Sequence, residues 1–379
     1  MNKLFTLVST LLILVFASAN LQAIPTPAPP SIKGTGHLLI DYDSGHIISE
    51  DNANVRLEPA SLTKMMTAHV VFGEIRAGNL KLDDMVMVSE KAWKTPGSRM
   101  FIEVGKQVSV EDLLKGMIIQ SGNDASVALA EHIAGSESVF ASVMNSHARE
   151  LGMVDTNFVN ATGMPDPNHY TTAADMAKLA ISKIRDFPEF YKWYAIKSFE
   201  FNNIKQQNRN KLLWRDKDVD GLKTGHTEAA GYCLVASAKK DSMRLISVVM
   251  GTDSEKQRAE ESMKLLNYGF RFFETHKLYA AGDALSQAKV WKGSSDQLPV
   301  GLAEDLFITI PRNQYDNLNA SMHLNLPLQA PINQGTSVGE VRISLDGKEV
   351  INQPLVALRN IEEGGIVSQT IDSLMMMLE

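Results

Sequence analysis

The chain has 379 residues, 44% of them hydrophobic and 21% charged, with a formal net charge of −7. This is ordinary globular composition, and it excludes a disordered, collagenous or multi-span membrane protein. The acidic balance gives no expectation of a nucleic-acid-binding surface, and a single cysteine, Cys233, rules out an intrachain disulfide and any CxxC zinc or redox site.

Lys3, the mostly apolar run Leu4 to Ala17 and the small residues Ala17-Ser18-Ala19 have the layout of a secretory signal peptide. Cleavage is expected after Ala19 or Ala23. The run is too short, and too interrupted by Thr6, Ser9 and Thr10, to span a membrane. Residues 1–23 are read as a leader and the protein as exported. A Pro-rich extended segment, Ile24 to Pro30, follows.

His37 to Tyr42 and His46 to Ile48 read as strands around the turn Asp43-Ser44-Gly45. Ser61 opens a strongly apolar helix, Leu62 to Ile75. Val108 to Ile133 and Val139 to Leu151 read as further helices. So does Thr172 to Ile184, opened by a Thr cap with Asp175 three residues on. Gly231 to Ala238 and Met243 to Met250 are strands around a Lys-Lys-Asp-Ser turn. Ser254 to Thr275 returns to helical spacing, with Met263, Leu266, Phe270 and Phe273 on one face. This order predicts an α+β domain, an antiparallel sheet with an inserted helical subdomain, over 24–280.

The texture changes at Ala280-Ala281-Gly282. From Val290 to Leu358 the apolar runs are short and alternating. Leu306 to Ile310 stops at Pro311, and Met322 to Leu326 stops at Pro327. Val341 to Leu345 and Val350 flank Asp346-Gly347, a hairpin signal. A small all-β domain is expected over 284–361. Residues 362–379 read as a helix after Gly364-Gly365, with Val367, Ile371, Leu374, Met375 and Leu378 on one face. Two readings stay open for it, a helix packed on its own domain or an in-plane membrane anchor. Glu362, Glu363, Asp372 and Glu379, with no Lys or Arg among them, weigh against attraction to anionic lipid.

Ser-x-x-Lys occurs three times, at Ser61-Lys64, Ser237-Lys240 and Ser286-Lys289. Only Ser61 begins an apolar helix, where positions i and i+3 share a face and Lys64 can reach the serine hydroxyl. The bland alternative is a Ser cap followed by a snorkelling Lys. Ser121-Gly122-Asn123 interrupts a helical run and reads in isolation as a turn. Lys223-Thr224-Gly225 precedes a strand and reads in isolation as a Lys-protected edge. All three in this order, bringing a nucleophile and two ammonium groups, are far more specific than any one.

With these motifs the chain resembles the penicillin-recognising serine enzymes, and among them the low-molecular-mass D-alanyl-D-alanine carboxypeptidases. The resemblance spans the chain after the leader. It takes in Asn208-Arg209-Asn210, Gly269 to Thr275 and Leu345-Asp346-Gly347-Lys348. It implies a transpeptidase-like domain, a C-terminal β-sandwich and an amphipathic anchor over 362–379 that attaches an exported, periplasmic protein to the outer face of the inner membrane. It implies Ser61 as nucleophile, Lys64 as general base and Ser121 as a relay toward the leaving amine. Asn123 would hold the substrate amide. The backbone N–H groups of Ser61 and His226 would form an oxyanion hole. Lys223 and Thr224 would bind the terminal carboxylate, with Arg258 and Arg209 adding charge and Gly225 among the substrate-binding residues. An ordinary Lys is neutral about once in 2,500 at pH 7, so Lys64 needs a lowered pKa, from burial and from the charge of Lys223. The implied activity is removal of the terminal D-alanine from peptidoglycan pentapeptides in cell-wall remodelling and cell-shape control. β-Lactams are the implied inhibitors, and neither cofactor nor metal is implied.

Gly335-Thr336-Ser337-Val338-Gly339 matches a hydrolase nucleophile pattern but lies among strands, so a turn is expected. Cys233 reads as a small buried thiol. Nine His without an HExxH give no expectation of a zinc peptidase. A β-lactamase is a rival reading, but Gly163 to Thr172 carries Asp166 and no Glu to drive rapid deacylation. A non-enzymatic penicillin-binding sensor is the other rival, and the intact Ser61-Lys64-Lys223 set opposes it.

Overall fold

Asp41 closes the first strand and builds the first turn, its Oδ1 accepting the backbone N–H groups of Asp43 and Ser44. That turn joins β1 (Gly36–Asp41) to β2 (Ile47–Asp51) in an antiparallel pair. The computed structural model describes residues 26–377. The leader read at 1–23, and Leu378 and Glu379 of the last helix, lie outside the described residues.

Helices and two small two-stranded sheets follow: α1 (Thr63–Arg76), β3 (Met85–Met87), α2 (Glu90–Lys94), β4 (Gln107–Ser109), α3 (Val110–Lys115), α4 (Asn123–Ala134), α5 (Glu137–Glu150), α6 (Ala173–Asp186), α7 (Pro188–Tyr191), β5 (Ser198–Phe201), β6 (Ile204–Gln207) and α8 (Leu212–Arg215). The chain then returns to the sheet through β7 (Val219–Thr227), β8 (Gly231–Lys240) and β9 (Met243–Thr252), and α9 (Glu255–Phe272) covers it. The five-stranded order is β2-β1-β9-β8-β7, with every pairing antiparallel. The helical subdomain is therefore inserted between the second and third strands of one sheet, as the order of elements predicts.

Successive residues of a strand point to opposite faces. Leu38, Val235, Ile246 and Val248 join the core shared with α1, α4 and α6, whereas Leu39, Leu234, Leu245 and Val249 join the core under α9. Burial on both faces is why β8 and β9 read as continuous apolar runs. Helix α1 lies in the middle of the larger core, with every residue from Thr63 to Phe72 buried. Such a helix is apolar all round rather than striped.

Two expected helices are corrected. The run Val108 to Ile133 is not one helix. Strand β4 and α3 lead into a wide turn at Gly116–Gln120, Ser121 takes the left-handed conformation (φ +68°), and α4 starts afresh at Asn123. Both helices bury apolar faces, so the periodicity runs on through the break. The helix expected over Ser254 to Thr275 stops at Phe272. Residues Phe273–Tyr279 form β10, paired antiparallel with β13 (Leu306–Pro311). Apolar spacing cannot mark this switch, because Phe273 is buried in either conformation.

The C-terminal strands β11 (Ser286–Trp291), β12 (Gln297–Gly301), β14 (Leu318–Leu324), β15 (Leu328–Gln329), β16 (Ser337–Leu345) and β17 (Lys348–Ala357) form a second sheet in the order β14-β16-β17-β12-β11-β15. Asp346 and Gly347 turn the β16–β17 hairpin with φ of +51° and +79°. The β10–β13 pair packs Leu306, Ile308 and Ile310 against Val341, Ile343 and Leu355 of the larger sheet, which makes this unit a sandwich. Thr275 donates to the buried carboxylate of Asp41 (2.7 Å) and shares a hydrogen bond with Thr309 (2.8 Å), tying the sandwich to the first turn of the five-stranded sheet.

The last helix, α10 (Ile366–Met376), buries no residue. It touches the sandwich through its polar side, where Asp372 accepts the backbone N–H of Lys292 (2.5 Å). Ile366 and Val367 are 85% and 73% exposed, and Ile371, Leu374 and Met375 share that exposure. The apolar face is thus not packed on its own domain. No helix among the described residues is long and apolar enough to cross a membrane.

Candidate active site

Ser61 lies in a tight turn, Ala60–Leu62, that feeds directly into α1. It is inside this turn rather than a side-chain cap of the helix. Two neighbours pack on the turn too closely for a side chain. A Cβ on Gly163 would stand 1.7 Å from the Ala60 carbonyl oxygen, and one on Gly225 would stand 3.0 Å from that of Pro59. The loop before α6 and the middle of β7 therefore clamp the turn from two sides.

Lys64, one turn along α1, places its Nζ 2.8 Å from Ser61 Oγ and donates to the Thr162 carbonyl at 2.5 Å. Its side chain is fully buried, and burial pushes its pKa down to about 7 against the pull of Asp124 and Glu137. About half of the lysines are then neutral at pH 7. Thr162 is held by Asn160, whose side-chain oxygen accepts the N–H groups of Thr162, Gly163 and Met164. Asn160 and Thr162 have a signal in the sequence only as a turn-forming Asn-Ala-Thr-Gly stretch.

Across the cleft, Lys223 Nζ donates to Ser121 Oγ (2.9 Å), 102 residues away in sequence, and to the Thr224 carbonyl (2.9 Å). β7 is indeed an edge strand, but Lys223 is buried and does not guard it. Burial lowers its pKa well below the ordinary lysine value, helped by the charges of Lys64, Arg258 and Arg209. Burial is the largest influence on both amines, and the like charges of Lys64 and Lys223 oppose each other across the cleft.

A cavity of about 190 Å³ brings together Ser61, Ser121, Arg209, Thr224, Gly225, His226 and Arg258 of the expected set. Ser98, Tyr232 and Glu255 also line it and carry no signal in the sequence. Arg258 donates to the Gly225 carbonyl (3.0 Å) and lies 3.5 Å from Glu255, so it is a paired cation that also steadies β7. Arg209 is aimed by its neighbours. Asn208 holds the carbonyls of Tyr194 and Ile196, and Asn210 holds that of Gly221. His226 is exposed and stacks on Tyr232 at 3.9 Å. Asn123 stands apart from the cavity lining, its Nδ2 donating to the Pro96 carbonyl (2.6 Å).

His169 is a further buried group that the sequence did not single out. Its Nδ1 accepts the Val159 N–H (3.1 Å), so its Nε2 carries the proton and donates to Thr63 Oγ1 (2.7 Å), beside Lys64. Burial lowers its pKa to about 4. Protonation at Nδ1 would break the bond to Val159. The neutral form is therefore part of the fold, and its stabilisation is complete above pH 6.5 and lost as pH falls through 4. About 3 kcal/mol is linked to this one group, and the midpoint of urea unfolding should drop between pH 7 and pH 4 by less in His169→Gln than in the wild type.

The decoys fall away on geometry. Cys233 is buried in β8 opposite Gly225, and burial pushes its thiol up to about 11. Ser337 opens strand β16, with no helix after it. Asp166 caps its own turn at Asn168 and does not line the cavity. No group of three or more His, Cys, Asp and Glu that could hold a metal occurs among the described residues.

A lysine, not a histidine, lies against the serine hydroxyl, and a second Ser–Lys pair faces it from the other side of the cleft. On an antiparallel sheet with an inserted helical subdomain, this defines a penicillin-recognising serine hydrolase. Residues 23–254 match the D-alanyl-D-alanine carboxypeptidase family, and residues 273–363 match the C-terminal domain of penicillin-binding protein 5. The chain is 45% identical to D-alanyl-D-alanine carboxypeptidase DacC of Escherichia coli K12, over 96% of this chain and 92% of that one. It is 44% identical to DacA of the same organism, over 93% and 89%. The crystal structure of penicillin-binding protein 5 from Haemophilus influenzae superposes with a TM-score of 0.87 at 45% identity, covering 89% of this chain and all of that one. The chain belongs to the serine-type D-alanyl-D-alanine carboxypeptidase family of low-molecular-mass penicillin-binding proteins.

Proposed function

We propose that the protein removes the terminal D-alanine from peptidoglycan pentapeptides through an acyl-enzyme on Ser61, and that β-lactams acylate the same oxygen. The observation that carries this is the buried Lys64 amine, 2.8 Å from Ser61 Oγ, with a pKa lowered to about 7. Neutral Lys64 takes the Ser61 proton as Oγ attacks the carbonyl of the penultimate D-alanine. The backbone N–H groups of Ser61 and His226 receive the developing oxyanion. Ser121, held by Lys223, passes a proton to the departing amine, and Asn123 turns from the Pro96 carbonyl to the substrate amide. The Lys64 ammonium refills Ser121, and neutral Lys64 then takes a proton from the attacking water and passes it to Ser61 Oγ as the ester bond breaks.

Mature protein should release D-alanine from a diacylated tripeptide ending in D-Ala-D-Ala while hydrolysing penicillin slowly. Fast penicillin turnover would favour a β-lactamase. Penicillin binding without release of D-alanine would favour the sensor reading. Slow penicillin turnover is expected because the carboxylate lining the cavity, Glu255, is paired with Arg258 and comes from α9, not from the loop beneath Ser61.

The domain division at 24–280, 284–361 and 362–379 goes with an exported, periplasmic enzyme. Its last helix lies on the outer face of the inner membrane. The exposed apolar face of α10 supports this, and Asp372 is turned away into the contact with Lys292. Deleting residues 366–379 should move the protein to the soluble periplasmic fraction with tripeptide hydrolysis intact. Because the helix carries no Lys or Arg, high salt should release little of the full-length protein. Equal membrane partitioning of the two forms would remove the anchor.

A further inference from the structure

Ser98 lines the active-site cavity, and its carbonyl accepts the backbone N–H of Asn123 (2.7 Å). Three residues along the same segment stands Phe101, 47% exposed. A chain spans at most about 3.6 Å per residue, so Phe101 lies within about 11 Å of Ser98. Its φ is +70°, a backbone conformation that bulky side chains rarely adopt.

This conformation is held from both sides. Asp124, the buried residue after Asn123, accepts the N–H groups of Met100 (3.0 Å), Phe101 (2.9 Å) and Ile102 (3.3 Å). From the β5–β6 hairpin, Asn202 Nδ2 donates to the Phe101 carbonyl (3.1 Å) and Gln206 Nε2 to that of Arg99 (2.9 Å). Strained backbone persists only where surrounding contacts over-determine it, and it concentrates at sites that bind or react. Here it keeps a phenyl ring exposed on a segment that also lines the active-site cavity at Ser98.

Phe101 borders a second hollow of about 260 Å³, shared with Trp93, Ile204, Arg99, Glu103 and Asn202. Trp93 and Ile204 are 40% and 38% exposed. Aromatic faces beside planar hydrogen-bonding groups suit a ligand with apolar faces and a polar rim, which describes a pyranose ring. Glu103 on the rim suits the hydroxyls of a sugar better than an apolar peptide side chain, while Arg99 and Asn202 already donate to the carbonyls of Thr95 and Phe101. On the substrate side, the four stem residues before the scissile bond span about 14 Å when extended, and the first of them is joined to a sugar.

We propose that the hollow formed by Trp93, Phe101 and Ile204 binds the sugar that carries the stem peptide. The proposal rests on the carboxypeptidase reading, and a three-substrate comparison separates the two. The substrates are a diacylated tripeptide, a sugar-free pentapeptide and the same pentapeptide on its disaccharide. The wild type should favour the disaccharide form over the free pentapeptide by roughly 3- to 10-fold in kcat/KM, the range for one aromatic contact. Trp93→Ala/Phe101→Ala should bring that ratio to about one, through KM. Phe101→Tyr should retain it, and the rate of penicillin labelling reports that each variant is folded. No preference for the sugar in the wild type would overturn the proposal. So would an equal loss on both pentapeptides in the double variant, which would mark a peptide subsite instead. Failure of the wild type to release D-alanine from the tripeptide would overturn the carboxypeptidase reading as well.

Discussion

Replacing Lys64 with Arg should lower the rate of Ser61 acylation by fluorescent penicillin by about 10²- to 10⁴-fold, the range for losing a positioned general base. Arg stays protonated at any pH the fold survives and cannot take the serine proton. Ser61→Ala should abolish covalent labelling altogether. The pH dependence carries the same argument with a defined sign. Lys64 must be neutral to act, and burial sets its pKa at about 7. Wild-type acylation should therefore rise with pH and level off above about 7, rather than climbing toward the ordinary lysine value near 10.4. Stopped-flow acylation from pH 5.5 to 9 reads this directly. A rate independent of pH across that range, or an Arg variant that acylates normally, would remove Lys64 as the base.

Amidating the substrate's terminal carboxylate should cut kcat/KM by about 10- to 150-fold, equivalent to one charge-assisted hydrogen bond of roughly 1.5–3 kcal/mol. Thr224 lines the cavity, and the neighbouring amine of Lys223 is buried, which lowers its pKa well below the ordinary lysine value. An arriving carboxylate favours the charged ammonium, so binding should take up a proton. Affinity for the free acid should fall as pH rises, and affinity for the amide should not. The two arginines separate by their contacts. Arg209→Ala should slow the free acid and barely change the amide, since Arg209 lines the cavity and adds charge there. Arg258→Ala should slow both, since Arg258 also holds the Gly225 carbonyl of the strand against the nucleophile turn. Equal turnover of acid and amide by the wild type would point to an endopeptidase.

Short-range features of this protein were legible because they are short-range. Ser61 and Lys64 are one helical turn apart, so their contact needs only the apolar helix that the residues from Leu62 onward predict. Asp346-Gly347 turns its hairpin because it supplies φ above zero at two successive positions. The insertion of helices into a sheet followed from the order of runs alone. The rest depended on which distant segments pack together. The lowered pKa of Lys64 comes from burial, and its amine is aimed by a carbonyl 98 residues away. The Ser121–Lys223 contact joins segments 102 residues apart, and neither motif alone was distinguishable from a turn or an edge strand. Phe273 sits on the apolar stripe of α9 yet begins β10, because its segment pairs edge to edge with β13, more than thirty residues on. The exposed face of α10 was ambiguous for the same reason. An amphipathic stripe states that something must cover it, and only the packed structure shows that its own domain does not.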